Sequence, residues 1–158
     1  MEQQNLALDE TDQALLRVLS SNGRVSGAEI SGRIGVAEST VSTRIRRLQS
    51  IGVVLGYRAE LNLGLLAPIQ AIISVRLVKH ARKEVDNFRQ SAPGWPGVRA
   101  LFHTSGADDY LLHVATRSAA ELREFVLQYL ASHPAVKRTQ TNLIFEHVQG
   151  DGWQDILR

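Results

Sequence analysis

The sequence contains no cysteine, which excludes a disulfide scaffold, a thiolate nucleophile and any cysteine-ligated zinc or iron–sulfur centre. It is also short of apolar runs: no stretch approaches the ~18 consecutive apolar residues of a membrane span. Residues 1–19 carry Glu2, Asp9, Glu10 and Asp12 where a secretory leader has a basic start and an apolar core, so the expected location is the cytoplasm, with no membrane partner. The catalytic vocabulary is equally thin. There is no G-x-S-x-G, no phosphate loop, no H-E-x-x-H and no Ser/His/Asp set that sequence can bring together, so neither an enzyme nor a cofactor is expected. His103, His113 and His147 fall on three predicted strands, but no carboxylate pattern accompanies them and no metal site is expected.

No sign of charge dominates either: 18 Lys+Arg stand against 16 Asp+Glu, a net +2. Position is more informative. Residues 1–60 hold seven arginines and seven acids, yet three of those arginines fall within four residues, at Arg44, Arg46 and Arg47. A neutral module with one basic cluster fits a site better than a generally adhesive surface. At 158 residues and 44% hydrophobic content, the chain is long enough for one domain or two small ones, burying roughly 70% of its extended surface.

Residues 8–50 read as three helices. Asp9 and Asp12 form an acidic first turn before Ala14, Leu15, Leu16, Val18 and Leu19, and Asn22-Gly23 ends the run. Ser26-Gly27-Ala28-Glu29 has the spacing of a capping box, and Gly35 closes the second helix. The third runs from about Glu38 to Ser50 on the stripe Val41, Ile45 and Leu48. Opposite that stripe lie Ser39, Thr40, Ser42, Thr43, Arg46 and Arg47, with no acid among them. Short hydroxyl side chains reach phosphates and base edges without bulk, and arginine forks onto guanine or pairs a phosphate. A solvated helix face would interleave Glu with Lys; this one suits a helix in the major groove of double-stranded DNA. Arg44 flanks the stripe and is expected to pair an acid of the first helix, such as Asp12.

After Gly52 the period changes. Val53–Tyr57 reads as a short strand, and 58–68 as an irregular connection. Strands at Ile69–Val78, Val98–Thr104, Tyr110–Thr116 and Val136–Val148 alternate with helices at about Arg82–Ser91 and Ala119–His133. The order β-α-β-β-α-β predicts two helices on one face of an antiparallel sheet, an α+β, ferredoxin-like plan. The expected division is a DNA-binding domain at 1–57, a linker at 58–68, a second domain at 69–148 and a tail at 149–158. In that tail Trp153, Ile156 and Leu157 form a small apolar set.

Leu8-Asp9-Glu10-Thr11-Asp12, Arg24-Val25-Ser26, Ser39 through Arg44, Leu48 and Gly52 through Tyr57 resemble the N-terminal half of the Lrp/AsnC (leucine-responsive/asparagine-operon) regulators. His103 through Tyr110, Pro134-Ala135-Val136 and Thr139-Gln140-Thr141 resemble the C-terminal half, in the same order. The resemblance implies a winged helix-turn-helix joined to a βαββαβ effector-binding domain that dimerises, with dimers assembling further to tetramers or octamers. One position departs from the pattern. Ala37 stands where the family usually has a capping Ser or Thr, a loss of about 1 kcal/mol that Glu38 in the first turn partly offsets.

The resemblance also implies that the second domain senses a small molecule, usually an amino acid. The candidate residues are those of the turn Thr104–Tyr110. Gly106 permits a close backbone approach or a positive φ. Asp108 and Asp109 offer carboxylates to an ammonium, and free turn amides could hold a carboxylate. Taken alone, these residues fit a plain β-turn equally well. The resemblance makes Thr104, Gly106, Asp108, Asp109 and Tyr110 line an effector pocket at a contact between dimers, with Thr139 and Thr141 in a similar role. A second reading stays open: an architectural DNA-binding protein whose second domain only oligomerises. On either reading at least a homodimer is expected, since one small helix-turn-helix makes too few contacts to be selective.

Overall fold

In the computed structural model, which describes residues 7–78, 82–148 and 150, the apolar stripes of three N-terminal helices meet in one small core. These helices are α1 (Glu10–Ser21), α2 (Gly27–Ile34) and α3 (Glu38–Ser50). Leu15, Ile30, Val41 and Leu48, one or two from each helix, are fully buried there. Asp9 starts α1 with a reciprocal capping box. The Asp12 amide donates to Asp9 Oδ1 at 2.8 Å, and the Asp9 amide donates to Asp12 Oδ2 at 3.4 Å. The box expected at α2 is only half made: Ser26 Oγ accepts from the Glu29 amide, but the Glu29 carboxylate turns to Arg33 at 2.6 Å. An arginine four residues on is a competing partner on the same helix face. Gly35, at φ 72°, ends α2 in the left-handed conformation that the expected sharp exit requires. Ala37 supplies no side-chain cap to α3, as its side chain dictates.

The strand expected at Val53–Tyr57 does not form, and no wing ladder exists there among the described residues. Instead, the amides of Val53 and Val54 both donate to the Leu48 carbonyl, at 2.9 and 3.1 Å, wrapping the chain back over the end of α3. Apolar composition favours a strand only where another strand edge lies beside it, and the described residues of this unit form helices and connections without a strand. Leu55 is left 93% exposed.

The chain divides into two compact units, one ending at Glu60 and one spanning Leu61–Val148. The second opens with a single helical turn, α4 (Leu63–Leu66), inside the stretch expected to be irregular. It continues as β1 (Ile69–Leu77), α5 (Arg82–Ser91), a 3-10 turn at Ala92–Gly94, β2 (Val98–His103), β3 (Tyr110–Thr116), α6 (Ala119–Phe125) with a π-helical extension Val126–Ala131, and β4 (Val136–Leu143). The four strands lie in the order β2-β3-β1-β4, all antiparallel. One face carries Ala71, Ile73, Val75, Leu112 and Val114 against Phe88, Leu122, Phe125 and Leu130 of the helical segments. Strand β4, Val136–Leu143, is shorter than the strand expected over Val136–Val148. Its pairing reaches Ala71↔Leu143, and the Ile144 amide then donates to Gln70. Because β1 begins at Ile69, β4 has no partner beyond that point.

Candidate nucleic-acid interface and effector turn

Helix α3 presents the face read from its sequence. Ser39, Ser42, Thr43, Arg46 and Arg47 are exposed and Thr40 is half-buried, while Val41 and Leu48 on the other side are buried. Arg46 has no ion-pair or hydrogen-bond partner among the described residues.

Arg47 differs. Its Nη1 lies 2.9 Å from Asp12 Oδ2, and its Nη2 donates to the Ala7 carbonyl at 3.3 Å. Arg44 takes the other oxygen of the same carboxylate at 3.0 Å and also pairs Asp9. Asp12 itself is 1% exposed. The Arg44–Asp12 pairing fits the expectation from sequence; the Arg47–Asp12 pairing does not, because a wheel diagram gives a side chain's direction but not the reach of a long one. Replacing Arg47 is therefore expected to disturb the α1–α3 junction as well as the outer face. The hydrogen bond from Arg44, then that from the Asp12 amide, holds the Asp9 carboxyl below the usual carboxylate range. Its contribution is present at neutral pH and lost as acid protonates Asp9.

In the second unit the connection from β2 to β3 is tied down from within. Thr104 Oγ1 donates to the Asp108 carbonyl at 2.6 Å, and the Thr104 amide donates to the Asp109 carbonyl at 3.0 Å. Asp109 is committed to the sheet. Its amide donates to Val75, and its Oδ2 accepts from the Leu77 amide at 2.7 Å. Pairing of β1 with β3 ends at Val75↔Tyr110, so Leu77 faces no strand carbonyl on that side and the Asp109 carboxylate replaces one. Tyr110 is likewise a core residue, 4% exposed, with its ring 5.4 Å from Phe88 and 4.8 Å from His103.

Asp108 keeps a half-buried carboxylate with no side-chain partner among the described residues. Gly106 is exposed and its φ is not positive, so the backbone reason for a glycine there does not apply; a Cβ would meet nothing within 4 Å. Thr139 pairs with Val75, placing it at the same end of the sheet as the turn, two strand spacings or ~10 Å across. Thr141 pairs with Ile73, further from the turn, and is exposed. The structure thus places Thr104, Gly106, Asp108 and Asp109 in the turn, with Thr139 at the same end of the sheet; Asp109 and Tyr110 also make contacts that hold the fold, and Thr141 lies further off. Surface pockets among the described residues lie elsewhere. One of about 390 Å³ runs along Leu16, Leu19 and Val53–Tyr57, and one of about 330 Å³ lies between Gly97 and the Glu121–Tyr129 stretch.

Residues 8–49 match the AsnC-type helix-turn-helix domain, and residues 70–153 match the Lrp/AsnC ligand binding domain. The chain belongs to the Lrp/AsnC family. Among its relatives is the HTH-type transcriptional regulator AldR of Mycobacterium tuberculosis, 38% identical over 144 residues that span 90% of this chain and 80% of AldR. The leucine-responsive regulatory protein of Haemophilus influenzae is 32% identical over 146 residues, 92% of this chain and 88% of that one. Among solved structures, a transcriptional regulator of Neisseria meningitidis in complex with L-Met superposes with a TM-score of 0.83 at 32% identity, covering 90% of this chain and 93% of that one. As an Lrp/AsnC regulator the chain joins a DNA-binding helix-turn-helix to a ligand-binding domain; the family consists of transcriptional regulators, not enzymes.

His103 and His113 of this Lrp/AsnC regulator serve packing and polar contacts. His103 stacks on Tyr110, and His113 Nε2 lies 3.0 Å from Gln70 Oε1. Burial, then the nearby His147 and Arg99, push the His113 pKa down. Among the described residues no three His, Cys, Asp or Glu side chains converge on a point that could hold a metal ion. No described helix is long and apolar enough to cross a membrane. Of the features missed from sequence, the Asp9-x-x-Asp12 box was legible in its spacing. The Arg47–Asp12 and Asp109–Leu77 contacts join positions more than thirty residues apart and carried no local signal.

Proposed function

We propose that this chain is a cytoplasmic, sequence-specific regulator that binds duplex DNA through the outer face of α3 and responds to an amino acid or related metabolite. In this reading Ser39, Thr40, Ser42, Thr43 and Arg46 meet the DNA. The turn from Thr104 to Asp108, with Thr139, meets the effector. Residues 1–57 act as the DNA-binding module and 69–148 as the sensor, joined through 58–68. The observation that carries the reading is an acid-free hydroxyl face holding one arginine with no partner within the described residues. The L-Met complex of the Neisseria relative supports an amino-acid effector.

We infer assembly as a homodimer, supported by apolar side chains on the sheet face opposite the helices of the second unit. Phe102 is 51% exposed beside Leu111, and Ile72 lies across from His113. A second copy covering this face would put two α3 helices on a two-fold axis, able to read half-sites about one helical turn apart. The test is Arg46→Ala. Melting should stay within ~0.5 kcal/mol of the parent. DNA binding should weaken, by ~1–3 kcal/mol at one position if Arg46 reads a base. Fluorescence anisotropy on labelled duplex checks both cases, and parental affinity in the variant would show the wrong face had been chosen.

A further inference from the structure

Three arginines crowd four residues of α3, and the structure treats them unequally. Arg44 and Arg47 lie three residues apart on one side of the helix, and each takes one oxygen of Asp12, at 3.0 and 2.9 Å. Arg44 also pairs Asp9, and Arg47 also donates to the Ala7 carbonyl. The cluster holds two carboxylates and two guanidiniums, so its net charge is zero. At its centre Asp12 is 1% exposed, while the Arg47 side chain is 45% exposed. Arg47 is thus visible to solvent but pinned by a carboxylate that has none. Moving it to a phosphate would strip a buried anion of one of its two charged donors, a heavy penalty. A surface contact to phosphate, screened by salt, returns far less.

We infer that Asp12 is a specificity-determining positioning residue for DNA recognition: it removes Arg44 and Arg47 from the charge α3 offers to phosphate and leaves Arg46 as the arginine that DNA meets. The inference rests on α3 being the DNA-contacting helix. Its physical consequence lies in the balance between two kinds of binding. Sequence-independent affinity rises with every phosphate neutralised, whereas base contacts do not depend on surplus charge. Three free arginines would make the helix adhere to any duplex. One free arginine beside four hydroxyl residues keeps the sequence-independent part small, so that base contacts make up a larger share of the total.

The experiment measures binding of the full chain to a labelled mixed-sequence duplex between 50 and 200 mM NaCl. The quantity compared is the slope of log K against log [salt]. Arg46→Gln is expected to reduce the slope by about one per protomer. Arg47→Gln, which leaves Asp12 paired with Arg44, is expected to leave the slope at the parental value. Asp12→Asn is expected to steepen it by about one per protomer and tighten mixed-sequence binding, because a guanidinium is released. A role in folding alone would lower melting without steepening the slope. If Arg47→Gln flattens the slope as much as Arg46→Gln does, Asp12 does not withhold Arg47 and the inference is overturned while α3 stands as the DNA face. If neither arginine variant changes the slope, the DNA face itself is misassigned and the inference falls with it. Should Asp12→Asn fail to fold, the comparison of Arg46→Gln with Arg47→Gln decides the matter by itself.

Discussion

Replacing Phe88 by Ala should cost the C-terminal unit about 3–5 kcal/mol, the largest loss expected from any single side chain discussed. Phe88 is fully buried and is the only residue of α5 that is. Its ring centroid lies 5.4 Å from each of Trp95, Tyr110 and His133, with the Trp95 and His133 rings edge-on. Removing it opens a cavity that these rings cannot close without leaving their own contacts, and α5 loses its main anchor to the sheet. For a unit of this size, each kcal/mol corresponds to about 4–8 °C, so scanning calorimetry should see melting fall by more than ten degrees. Phe88→Leu keeps most of the volume and should lose much less. Tyr110 packs on Phe88 at the start of β3, so loosening this cluster also loosens the end of the turn that precedes it. A loss below 1 kcal/mol would mean that α5 is held by something other than its buried face.

Asp109→Ala should destabilise the same unit by about 1.5–3 kcal/mol, the range for a lost hydrogen bond to a charged group. The Leu77 amide then has no acceptor, at the place where β1 outruns β3 and its register with β4 shifts. Asp109→Asn keeps an oxygen for that amide and should recover most of the loss. Asp108→Ala should behave in the opposite way, leaving ligand-free melting unchanged and removing the stabilisation that an amino-acid effector confers. For the parent that stabilisation is ~2.7 kcal/mol at 100 times Kd. A melting screen over the twenty amino acids separates the two carboxylates. If Asp109→Ala melts like the parent, its carboxylate is not a strut of the sheet. If no amino acid stabilises the parent, the second unit serves assembly alone.

The sequence was most legible where structure is decided locally. The α3 boundaries follow from Val41, Ile45 and Leu48, and the α2 exit follows from Gly35. The alternation along β1, with Ala71, Ile73, Val75 and Leu77 all buried, was readable for the same reason. What could not be read depends on distant partners. Val53–Tyr57 has the composition of a strand but no edge to join, and β4 stops where β1 begins. Asp109 and Arg47 are polar residues in sensible places whose partners, Leu77 and Asp12, lie far off in the chain. Gly106 shows the reverse error: glycine permits a positive φ without requiring one. On the DNA side, five of the six residues expected from sequence are exposed on α3 and Thr40 is half-buried, because a helix face is a local property. On the effector side Thr104, Gly106, Asp108, Asp109 and Tyr110 form the turn and its exit, while Thr139 and Thr141 lie two strands away, because such a grouping is assembled from separate strands.

The measurement that bears most directly on the central claim is a selection of duplexes from a randomised pool by the full-length chain, followed by sequencing. The account predicts enrichment of one short motif in two inverted copies, centred about 10 base pairs or a multiple apart. It also predicts that Arg46→Ala relaxes or abolishes that enrichment. A pool that emerges with no enriched motif, or the same motif selected equally well by Arg46→Ala, would contradict it.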